Sequence, residues 1–210
     1  MVLVKWIVVT VPEHQRAAFE RSQQTWANLA YCAGFLGQVG GWIDDGRACI
    51  LGVWQDDAAY ARFMHHTHDP ILFAAPAEAI DMQLDIQVAS VITRMPGEAA
   101  DVAAALRDAT FLRVADCTID PVHREAFVRA QLQVWTPGMG ACPGMLGGVF
   151  SSVADDRYLV TTLWADAAAH TAYLDGPFTG LRARAAPDTQ LTRLEGFRVP
   201  LLPAWHVLPA

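Results

Sequence analysis

From Val2 to Val11 nearly every position is apolar, and most are β-branched or aromatic, which is the pattern of a strand covered on both faces. Pro12-Glu13 changes the period: Ala17, Phe19, Gln23, Trp26 and Ala30 then recur at near-helical spacing to about Tyr31. Gly34 stops that helix, because glycine alone enters the left-handed region without a Cβ penalty. The run Phe35-Leu36-Gly37-Gln38-Val39-Gly40-Gly41-Trp42 reads as a strand, with glycines where a bulge forms or another backbone comes close. Asp44-Asp45-Gly46 is a turn and Ala48 to Trp54 the next strand. Asp56-Asp57 opens a helix to about His66, Asp69-Pro70 a short one, and Ala79 to Arg94 reads as a long final strand.

The same order then recurs. Phe111 to Ile119 is a strand, and Asp120-Pro121 caps a helix carrying Phe127, Gln131 and Trp135. Gly144 to Val153 and Arg157 to Trp164 are strands about an Asp155-Asp156 turn. Asp166 caps a helix to about Leu174, Gly176-Pro177 starts a short helix, and Thr189 to Val199 is the last strand. Thr10 matches Thr118, Phe19 matches Phe127, Gln23 matches Gln131 and Trp54 matches Trp164, so the chain reads as a duplication. Each half is β-α-β-β-α-(α)-β, a ferredoxin-like split βαβ unit. The expected division is a first repeat over 1–95, a helical linker over 96–110, a second repeat over 111–200 and an extended surface tail over 201–210. A sheet with helices on one face needs its other face covered. The expected class is therefore α+β, with two repeats forming a single-chain pseudo-dimeric α+β barrel.

Composition narrows the partners. Just over half of the 210 residues are hydrophobic (53%) and 18% are charged, which leaves ample material for a core. A net charge of −7 with no basic run argues against nucleic acid or an anionic membrane surface as partner. Cys32, Cys49, Cys117 and Cys142 show no paired spacing and read as free thiols of a reducing compartment. The N-terminus lacks a basic leader and no apolar run is long enough to span a bilayer, so a cytoplasmic protein is expected, as a monomer or a homodimer.

A polar residue found in one half only, where a pocket is expected, is a better functional candidate than one found in both. His65, His66 and His68 with Asp69 have no counterpart in the second half, which reads Asp175-Gly176-Pro177. They are open to three readings: solvated and capping residues, a base in which Asp69 orients His68, or haem or metal ligands. No further Cys/His cluster accompanies them, so a zinc site is not expected. Asp116 is also one-sided: a carboxylate inside a strand, opposite Val8 of the first half, must be paired, hydrated or functional. Arg113 lies on the other face of an ideal strand and is no obvious partner, and Cys117 reads as a small core residue. Gln23 and Gln131 sit four residues after a Phe, so their amides point inward and need partners, either strand backbone or a substrate carbonyl. Trp26, Trp135 and Phe63 are the candidate apolar walls, whereas Trp54 and Trp164 read as scaffold.

Gly34-Phe35-Leu36-Gly37-Gln38 with Gly40-Gly41-Trp42, followed by Trp54, Tyr60, Phe63-Met64 and His68-Asp69, resembles a family of small bacterial domains within the dimeric α+β barrel superfamily. That superfamily includes antibiotic-biosynthesis monooxygenases, haem-degrading monooxygenases, polyketide cyclases and muconolactone isomerases. The resemblance implies a small hydrophobic ligand held between sheet and helices. It also implies cofactor-independent oxygenation of an activated aromatic or polyketide-like substrate, or a related cyclisation or isomerisation. His68 or Asp116 would serve as base and Gln23 or Gln131 as enolate donor. Haem on the histidine cluster is the alternative, and a non-catalytic ligand-binding or stress protein is another. The haem-degrading members pair a first-strand Asn with a Trp on the second helix. Here no Asn stands in either first strand, and the Trp position falls on Phe63.

Overall fold

The computed structural model describes residues 1–74 and 80–210, without the side chain of Ala74. The chain divides into unit 1, Met1–Val88 with Leu201–Ala210, and unit 2, Ala89–Pro200. The fold is α+β, and all the strand pairs described below are antiparallel.

In unit 1, β1 (Leu3–Thr10) lies beside β3 (Ala48–Trp54), paired from Leu3–Trp54 to Val9–Ala48, and β3 lies beside β2 (Phe35–Trp42). The first helical stretch is broken: a short 3-10 turn, α1 (Arg16–Gln23) and a second 3-10 segment, Gln24–Tyr31. α2 (Asp57–His66) follows β3, and α3 (His68–Ala74) starts directly after Thr67. Alternation along β1 sends Leu3 and Val9 into the helix-side core, Leu3 with Phe63 and Trp54, Val9 with Phe19. The strand expected from Ala79 is β4 (Gln83–Pro96); Ala79 itself lies outside the described residues.

In unit 2, β4 pairs through Ser90–Pro96 with β6 (Met145–Ser152), β6 with β7 (Arg157–Trp164), β7 with β5 (Phe111–Ile119), and β5 with β8 (Leu191–Pro200). This is the split βαβ order. α4 (Val102–Asp108) is shorter than the helix expected from Glu98, because Asp101 caps it by accepting from the Ala104 amide at 2.8 Å. After β5 come α5 (Arg124–Ala130), a π-helical turn at Gln131–Trp135 and α6 (Thr136–Gly140). α7 (Ala167–Asp175) and α8 (Pro177–Ala185) precede β8, which starts at Leu191 and not at Thr189, since Thr189 closes a 3-10 turn.

The tail is not a surface strap. Its backbone joins β2 through Gln38 and Val207, and Trp205, 2% exposed, packs its ring 5.7 Å from Phe19 and 5.5 Å from Trp42.

The two helix-stopping glycines do the same job in each unit. Gly34 has φ +81° and its carbonyl accepts from Gln55 at 2.7 Å; Gly144 has φ +76° and accepts from Ala165 at 2.8 Å. A Cβ on Gly34 would lie 2.5 Å from Ala59 Cβ, and one on Gly144 2.6 Å from Ala169 Cβ. Left-handed strain and overpacking therefore act together, and Gly34→Ala is expected to lower stability by about 2–4 kcal/mol in urea unfolding. Ala59→Gly should return part of that loss, and an unshifted midpoint in Gly34→Ala would count against this geometry.

Candidate functional site

In unit 1 the second helix builds the site. Asp56 caps α2 by accepting from the Ala59 amide at 2.7 Å, which fixes the phase that turns Phe63 inward. Phe63 is buried and stacks on Trp54 with centroids 4.8 Å apart. α2 ends at His66 with Thr67 as its cap, and His68, at the head of α3, lays its ring beside Trp26 and Phe63, each 5.6 Å away. The His68 side chain is 20% exposed, and its Nδ1 lies 2.9 Å from Asp69 Oδ1. An ionised carboxylate only accepts, so Nδ1 is the donor and Nε2 carries the lone pair. The structure thus brings His68, Asp69, Phe63 and Trp26 together. His65 and His66 stay apart from them, exposed on the last turn of α2 with their rings 5.8 Å from each other. Among the described residues no group of three His, Cys, Asp or Glu side chains is placed to hold a metal ion.

Gln23 and Gln131 are both buried at 5% exposure, and neither Oε1 has a partner among the described residues. The strand-backbone bond considered for these carbonyls is therefore absent, and a buried acceptor without a donor is what a ligand or water would satisfy. Gln23 stands one helical turn before Trp26. Gln131 opens the π-helical turn that ends at Trp135, whose ring lies 5.8 Å from Phe178.

Asp116 is buried on the face of β5 turned away from Phe111 and the helices. Both its oxygens are taken by Arg157, Oδ1 from Nε at 2.9 Å and Oδ2 from a terminal nitrogen at 2.5 Å. The in-strand carboxylate is answered by an arginine from β7, and a base with both oxygens engaged by a guanidinium is a poor proton acceptor. Cys117 is buried beside it, and burial pushes its thiol up to about 12, so it is no nucleophile.

A second constellation in unit 2 escapes the sequence reading. His170 is 2% exposed, with its ring 5.1 Å from Phe111, 5.3 Å from Trp164 and 5.9 Å from Tyr173, and its Nε2 has no partner among the described residues. Burial, then the nearby Arg113 and Arg198 charges, lower its pKa to about 4. Aligning the caps Asp56 and Asp166 puts His170 opposite Tyr60, a one-sided polar residue that the same sorting rule identifies once the helices are in register. In unit 1 the equivalent cation is Lys5, whose Nζ lies 5.8 Å from the Tyr60 ring centroid and whose pKa burial lowers.

The depressed histidine has a pH consequence. Unfolded chains take up a proton near pH 6.5 while the folded one resists it to about 4, so stability is full above the first value and falls as pH drops through this window. The loss is expected to reach up to about 3 kcal/mol. His170→Gln should flatten that part of the stability–pH curve, measured by urea unfolding between pH 7 and pH 4; equal slopes in the two proteins would remove His170 as the cause.

Residues 3–88 match the family described as Domain of unknown function (DUF4937). A relative from Bacillus subtilis (strain 168), the uncharacterized protein YdbC, is 32% identical over 90 residues, which is 41% of this chain and 76% of that protein. A structure described as "Putative monooxygenase" from Fusobacterium nucleatum subsp. nucleatum superposes with TM-score 0.79 over 99% of this chain and 94% of its own, at 10% identity. An anthrone oxidase-like protein superposes with TM-score 0.66 over 96% of this chain and 91% of its own, at 11% identity. At such identities these two likenesses concern the fold alone. Both share the α+β fold described above. Through its first unit the chain belongs to the DUF4937 family. No helix among the described residues is long and apolar enough to cross a membrane.

Proposed function

We propose that the chain binds a small hydrophobic molecule at the unit 1 site and oxygenates it without a cofactor, with His68 as the base. The observation that carries this reading is the His68–Asp69 contact of 2.9 Å beside two aromatic rings. Asp69 holds the tautomer, Nε2 faces the chemistry, and Trp26 and Phe63 supply apolar walls for an aromatic substrate. Gln23 stands one turn from Trp26, and its amide NH2 would steady a developing enolate while its Oε1 takes a substrate hydroxyl. Asp116, held by Arg157, has no part in the chemistry. Both units are read as copies of one ancestral unit, on the support of the matched Gly34–Ala59 and Gly144–Ala169 approaches.

Anthrone is a suitable probe, because an anthrone oxidase-like protein shares the fold. Removal of an acidic ring C–H proton to His68 leaves an enolate, which reduces and combines with O2. Loss of water from the resulting hydroperoxide gives the quinone, so one O2 is consumed and one water released per anthrone. Oxygen-electrode traces with chelator-treated protein should show uptake above the rate of autoxidation, with the quinone formed in equal amount. Uptake no faster than with heat-denatured protein defeats the reading.

Haem fits this site poorly. Phe63 stacks on Trp54 at 4.8 Å, filling the space between α2 and the sheet, and His65 and His66 do not converge with His68. The protein as purified is therefore expected to lack a Soret band, and one that appears on titration with haemin and disappears in His68→Ala would favour the haem alternative.

A further inference from the structure

Unit 2 carries two arginines whose placement that reading does not use. Arg113 on β5 and Arg198 on β8 are direct register partners, so their side chains leave the sheet on the same face. It is the helix-side face, because Phe111, two residues before Arg113, meets His170 of α7. Like charges placed directly opposite destabilise a strand pair. Neither guanidinium has a carboxylate partner among the described residues.

Arg47, Arg157, Arg182 and Arg193 each pair with an acid, at 2.7, 2.5, 2.7 and 2.5 Å. The acids nearest to Arg113 and Arg198 in the two strands are committed elsewhere: Asp116 to Arg157, and Glu195 to Arg193. Both stand three residues along the strand and so leave by the opposite face. No carboxylate among the described residues neutralises the arginine pair, and near it stands His170, packed among Phe111, Trp164 and Tyr173, whose buried Nε2 lacks a partner among the described residues.

We propose that Arg113 and Arg198, with His170, form a binding site for a small organic carboxylate. Each part has a separate reason. The planar fork of Arg113 matches the two oxygens of a carboxylate. Arg198 is exposed on the last strand of the unit's sheet and draws the anion in, while the half-buried Arg113 receives it. His170 is neutral at physiological pH, so it offers an N–H without adding a third cation. Thr162, in register with Arg113 on β7, is already engaged: its hydroxyl accepts from the buried Trp164 Nε1 at 2.9 Å. The site stands in the other unit from His68 and does not depend on the oxygenase reading.

Calorimetric titration of the full chain with benzoate tests the proposal, with benzyl alcohol and inorganic phosphate as the matched probes. Saturable benzoate binding at one site is expected, weakened by added salt, with no saturation by benzyl alcohol and no competition from phosphate. Arg113→Gln should weaken benzoate by about tenfold or more and Arg198→Gln by a smaller factor, as for a half-buried and an exposed charge contact. Should Arg113→Gln fail to fold, Arg113→Lys retains the charge without the fork and is expected to lose several-fold. No saturable heat with benzoate, or equal affinity in whichever Arg113 variant folds, overturns the site. Competition by phosphate at similar affinity overturns the carboxylate assignment.

Discussion

Asp116→Ala is expected to lose about 3 kcal/mol of stability, because it removes the carboxylate that takes two hydrogen bonds from the partly buried Arg157 guanidinium. The carboxylate sits in mid-strand, is 3% exposed and receives two hydrogen bonds from that one partner. Removing half of a buried pair costs far more than removing both halves. A double change to apolar residues of similar volume, Asp116→Leu with Arg157→Met, should therefore recover most of the loss. Urea unfolding of wild type, the two single variants and the double variant closes the cycle. Additive losses would mean that the pair has no coupling. In the oxygen assay Asp116→Asn should keep wild-type turnover at a temperature where it is folded, which separates a structural pair from a base.

Features set by local chemistry were legible in the sequence. Asp56 and Asp166 cap their helices as expected, because capping is decided within one turn. Gly34 and Gly144 take positive φ, and β2 and β6 shift register at Phe35/Gly37 and Met145/Gly147, where glycines fall in the strand pattern. Features set by distant partners were not. The proline-rich tail reads as an extended segment packed on the surface, yet Trp205 is buried because Phe19 and Trp42 leave room for a third ring. The partner of Asp116 comes from β7, 41 residues away, while the sequence offered only the unsuitable Arg113 nearby. On β4, which opens at Gln83, Leu84, Ile86 and Val88 are all exposed, so apolar residues there mark a strand without marking a buried face. His170 is illegible in sequence for a different reason: it stands alone in the chain and acquires its aromatic surroundings only in the fold.

The central claim is that His68 is a base held by Asp69 at an aromatic wall, and oxygen uptake by His68→Gln tests it most directly. Glutamine keeps a polar side chain of similar reach but has no lone-pair nitrogen to take a proton, and general-base contributions run to about 10²–10⁴-fold. The His68 side chain is partly exposed and glutamine is of similar volume, so the variant is expected to fold. Asp69→Asn, which keeps the shape but weakens the hold on Nδ1–H, should lower kcat by a smaller factor with little change in KM. His65→Ala and His66→Ala, on the exposed turn, should stay close to wild type. With anthrone as substrate and wild type alongside, the account predicts that His68→Gln loses at least about 100-fold in kcat while its urea midpoint is unchanged. A folded His68→Gln protein that consumes oxygen at the wild-type rate would contradict it.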